Sequence, residues 1–131
     1  MSQNFIENDE ALLKEARLTA FDHSALMNRV MGDKNLASRV LSVFLKDVPR
    51  QVQSLQDEVA TGTIEAAGRQ AHRIQGACAT VGAEAMRRLA YEIEKAASAN
   101  DPATVKSRAA ELPAYLAELN QALAVYAQPE L

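Results

Sequence analysis

Along Ala71-His72-Arg73-Ile74-Gln75-Gly76-Ala77-Cys78-Ala79-Thr80-Val81-Gly82-Ala83, a histidine, an amide and a glycine fall on one side of a segment whose other side is apolar. An exposed neutral imidazole keeps a proton on one ring nitrogen and a free lone pair on the other, which suits it to accept a phosphoryl group near neutral pH. The product adds charge of about −2, which nearby hydrogen-bond donors stabilise. Gln75 can offer an amide N–H. Arg69, three residues before His72, and Arg73, next to it, can each reach a phosphoryl oxygen. At about 100° per residue, Gln75 lies roughly 60° to one side of His72 and Gly76 roughly 40° to the other, with Ala79 a turn further on. A glycine inside a helix costs about 0.5–1 kcal/mol relative to alanine, so Gly76 predicts that something approaches the imidazole closely.

Other chemistries fit less well. Bundles hold metals through Glu-x-x-His pairs on facing helices, and neither His23 nor His72 stands in one, so no metal site is expected. A hydrolase needs a base with an orienting group, and the only carboxylate near His72 along the helix is Glu65, two turns back. An enzyme with its own phosphatase activity is disfavoured for the same reason. His23 reads as a surface histidine. Cys78, the single cysteine, sits on the apolar face and reads as a small core residue rather than a reactive thiol.

The elements that must position these residues are helical: glycine is rare, strand-like alternation is absent, and alanine and leucine dominate. Asp22 opens a helix that runs through Met31 and ends at Gly32, and Asp33 opens the next. In that second helix Leu36, Val40, Phe44, Val48, Val52, Leu55 and Val59 step by three and four until Gly62, with Pro49 expected to bend it or break its hydrogen bonding locally. Thr63 is the expected side-chain cap of the His72 helix, and Gly82 its end. Ile64, Ala67, Ala71, Ile74, Cys78 and Val81 form its buried face. A fourth helix turns Met86, Leu89, Ala90, Ile93 and Ala97 inward, and Asn100-Asp101-Pro102 separates it from the next. The last carries Val105, Ala109, Leu112, Leu116, Leu119, Leu123 and Tyr126, with a kink expected at Pro113. Four long helices and short turns predict an all-α, antiparallel up-down-up-down four-helix bundle over residues 20–127, with a short additional N-terminal helix across one end. Residues 1–19 read as an extension or a linker.

A chain of 131 residues is one domain's worth, too short to include a nucleotide-binding kinase module as well. With 17 acidic against 14 basic residues it carries no electrostatic footprint for nucleic acid, and protein partners are expected instead. No apolar run reaches the roughly 20 residues of a membrane span, so direct membrane insertion is not expected. The opening Met1-Ser2-Gln3-Asn4 lacks signal-peptide character, and the expected location is cytoplasmic.

The run from Ala71 to Ala83, written Ala-His-x-x-(Lys/Gln)-Gly-x5-Gly-Ala, resembles the histidine-containing phosphotransfer (HPt) domains of two-component phosphorelays. Phe21-Asp22, Gly32-Asp33, the Phe44 to Pro49 spacing and the Leu89 and Glu94 positions extend the likeness over about residues 20–126. The resemblance implies that His72 is the phosphoacceptor, through its outer ring nitrogen, and position along the helix makes Gln75, Arg69 and Arg73 its expected phosphate neighbours. It implies that Gly76 lets the partner approach, and Gly68 and Ala79 are expected to face the partner beside it. The partners would be response-regulator receiver domains and a hybrid sensor histidine kinase. No cofactor is expected on this chain, since Mg²⁺ belongs to the receiver, and the chain would be a carrier without kinase activity of its own. Gln75 stands where the family usually has lysine, which retains a donor and loses a charge. The alternative is a helical adaptor that binds a signalling partner without phosphoryl transfer.

Overall fold

The computed structural model describes residues 20–124, and within them every regular element is a helix. These are α1 (His23–Arg29), α2 (Lys34–Ala60), α3 (Ile64–Val81), α4 (Glu84–Ser98), α5 (Pro102–Ala109) and α6 (Leu112–Ala124). The expected helical bundle is therefore the fold. The proposed extension over residues 1–19 and the core position given to Tyr126 lie outside the described residues.

Local chemistry sets the helix ends. Asp22, Asp33 and Asp101 each accept a hydrogen bond from the backbone N–H three residues on, at 3.0, 3.1 and 3.2 Å, and so satisfy a donor the first turn leaves free. At Asp101 the Thr104 hydroxyl adds a second bond, and together they hold the carboxyl below its usual range. Gly82 ends α3 with φ +85°, and a Cβ there would also meet the Asp22 carbonyl oxygen at 2.7 Å. The same junction anchors α1, whose preceding Asp22 N–H donates to the Gly82 carbonyl at 2.8 Å. Thr63 departs from expectation. It occupies the N-cap position of α3, but its hydroxyl pairs with the Thr61 hydroxyl at 2.9 Å instead of capping the helix.

The two helix prolines behave differently. Pro49 lies inside α2, which continues through it, held by Val48 and Val52 in the core on either side. Pro113 does more than kink the last helix: the chain breaks at Ala110 and Glu111 and restarts as α6. A continuous helix would need an N–H at position 113 to serve the Ala109 carbonyl, and proline has none. Gln56 of α2 supplies the missing donor, its Nε2 lying 2.6 Å from the Ala109 oxygen. Arg108 secures the corner through ion pairs to Glu92 of α4 and Glu111. Pro113 itself falls in the first turn of α6, where no N–H is required.

The core runs the length of the bundle. Val48, Leu55, Ile74, Met86, Ile93, Val105, Leu112 and Leu119 are completely or almost completely buried at its centre. From α3 it takes Ala67, Ala71, Ile74, Cys78 and Val81, the face predicted from helical spacing, with Ile64 partly buried at the start. Burial pushes the Cys78 thiol up to about 12, which keeps it protonated and unreactive at neutral pH.

Candidate functional site

Burying one face of α3 forces its opposite face outward, and His72 lies there with 74% of its side chain exposed. Its ring is held from the neighbouring helix. Nδ1 lies 2.5 Å from Oε2 of Glu94 on α4. An ionised carboxylate only accepts, so Nδ1 is the donor of this hydrogen bond, and in the neutral imidazole the lone pair is then on Nε2. The ring is thus oriented by a carboxylate from a second helix, an arrangement that suits imidazole to acyl and phosphoryl chemistry.

What brings Glu94 within reach is the packing of α3 on α4. Gly68 is buried at their crossing, and a Cβ added there would stand only 2.8 Å from the Ala97 Cβ. The two backbones can approach this closely only because neither residue has a larger side chain. In antiparallel helices, four residues forward from Gly68 matches three back from Ala97, which sets His72 opposite Glu94. Gly68 is thus corrected from a partner-facing residue to a packing one. Glu94, which spacing along α3 did not reveal, replaces Glu65 as the carboxylate partner of the histidine. The small residues Gly68 and Ala97 are the signal that could have given the register.

The other expected neighbours separate. Gly76 is exposed, and a Cβ there would meet nothing within 4 Å, so the surface beside His72 is open. Ala79, one turn on, is partly exposed. Gln75 is half-buried, and its side-chain oxygen is buried without a hydrogen-bond partner among the described residues. The Arg73 guanidinium donates from Nη1 to Gln70 Oε1 at 3.2 Å. Arg69 is exposed and borders the same open cleft as Glu65, His72, Arg73 and Glu94. His23 is also exposed, with its ring edge-on to Phe21 at 6.2 Å between centroids.

The chain belongs to the Hpt domain family, whose model matches residues 39–125. No curated protein and no solved structure matches it. Membership makes the chain a phosphotransfer intermediate of two-component signalling, in a family of phosphocarriers that interact with receiver domains and kinases. No helix among the described residues is long and apolar enough to cross a membrane.

Proposed function

We propose that His72 accepts a phosphoryl group from the aspartate of a response-regulator receiver and passes it to a second receiver. The observation that carries this reading is the His72–Glu94 pair on an exposed ring: with Nδ1 bonded to the carboxylate, the neutral imidazole has its lone pair on Nε2. In the forward step the Nε2 lone pair attacks phosphorus in line, and an Nε2–P bond forms as the bond from phosphorus to the aspartyl oxygen breaks. The electron pair of the broken bond leaves on the aspartate. Nδ1 keeps its proton throughout, and the positive charge that develops on the ring faces the Glu94 carboxylate. The open surface at Gly76 and Ala79 gives the receiver room to close over the imidazole. The reverse sequence delivers the group onward.

This chain contributes the nucleophile and its orientation, and it acts as a carrier with no kinase activity of its own. The receiver supplies the aspartate and the Mg²⁺. A hybrid sensor histidine kinase would stand upstream, which sets the relay in the cytoplasm. Incubation with a phosphorylated receiver tests the reading: wild type acquires an acid-labile label, and His72→Gln acquires none while its helix content and melting stay nearly unchanged, because the side chain is exposed. A label retained in His72→Gln contradicts the assignment. Binding to the receiver without any transfer by wild type would favour the adaptor reading.

A further inference from the structure

The phosphoryl group on His72 would enter a cleft that already holds two carboxylates, Glu65 and Glu94. Adding charge of about −2 beside them is unfavourable unless a cation answers it. The position three residues after the histidine cannot supply one, since it is Gln75, half-buried and with its oxygen buried. Two arginines border the cleft, and they differ. Arg73 is exposed too, but its guanidinium donates to the amide oxygen of buried Gln70. Arg69 is exposed, and neither a hydrogen bond nor an ion pair engages its guanidinium among the described residues. It lies one turn N-terminal to His72, about 60° around the helix, within reach of an oxygen on a group attached to the outer ring nitrogen.

Resting on the reading of His72 as phosphoacceptor, we propose that Arg69 is the residue that binds the phosphoryl group, placed one turn before the histidine instead of one turn after it. The planar guanidinium donates two parallel N–H bonds to two phosphoryl oxygens, which a single amide cannot do. The cation offsets the charge that Glu65 and Glu94 oppose. It also favours the dianionic form of the phosphoryl group over the monoanion.

The test uses the full chain, phosphorylated directly by phosphoramidate so that receiver docking does not enter, and followed by ³¹P NMR. Phosphohistidine on His72 of the wild type is read first, and its absence there would remove the phosphoacceptor reading together with this one. Given that signal, Arg69→Gln should raise the second pKa of the phosphoryl group by about half a unit to one unit and slow its formation about 3- to 10-fold. The titrating and charged neighbours are Glu65, Arg69 and Arg73 on α3 and Glu94 on α4, so Arg73→Gln is run beside it. That variant should move the phosphoryl pKa by less than half as much, and Arg69→Lys should recover part of the loss. If Arg69→Gln titrates like wild type, or Arg73→Gln gives the larger shift, the assignment to Arg69 is wrong although His72 remains the acceptor.

Discussion

Gly68 and Gly76 lie on one helix, two turns apart, and do opposite work. Around Gly68 the helix is locked to α4, and a methyl group there would collide with Ala97. Around Gly76 it is open, and a methyl group would touch nothing. His72 lies midway between them. The first region fixes the imidazole by setting the register that brings Glu94 to Nδ1, and the second leaves the outer side of the ring accessible. One helix thus combines two opposite features, a held imidazole and an unobstructed surface beside it, by separating them along its length.

The largest expected effect breaks the locked region. Gly68→Val must push α3 from α4 where the two backbones already meet at their limit, and it should lower stability by about 1–3 kcal/mol, read as a drop in the denaturant midpoint. Phosphoryl acceptance should fall with it, because the displaced helices separate His72 from Glu94. An unchanged midpoint would show that the seam has slack. In the open region the sign reverses. Gly76→Ala should raise stability by about 0.5–1 kcal/mol through helix propensity alone, since the added methyl group disturbs no neighbour. Gly76→Gln should keep most of that gain and yet slow transfer from a receiver by more than about twofold, since its longer side chain occupies the approach. If transfer by Gly76→Gln matches wild type, the open surface is not where the partner closes.

Much of this is legible in the sequence because helical period links residues that are close along the chain. The buried face of α3, the exposure of His72 and the open position of Gly76 all follow from spacing within one helix. What escapes depends on residues far apart in sequence. Glu94 is 22 residues from His72, and only the Gly68–Ala97 crossing says that the two meet. Gly68 resembles Gly76 because a missing side chain signifies close approach in both cases, and sequence does not say whether a neighbouring helix or a partner makes it. Pro113 announces a disturbance of the last helix. The full break depends on a donor from elsewhere, Gln56, to satisfy the carbonyl that proline leaves unpaired. Thr63 has the right identity for a cap, but Thr61 competes for its hydroxyl.

In the proposed transfer, Glu94 holds the proton on Nδ1 and so makes Nε2 the nucleophile. Correlated ¹⁵N–³¹P NMR of the phosphorylated chain, with histidine labelled in both ring nitrogens, reads it most directly. A phosphorus–nitrogen coupling at Nε2 of His72 and a protonated Nδ1 are expected, with phosphorylation slowed by about tenfold or more in Glu94→Ala, where the ring loses both its orientation and the charge that faces it. Phosphorus bonded to Nδ1, or a Glu94→Ala variant phosphorylated as fast as wild type, would contradict it.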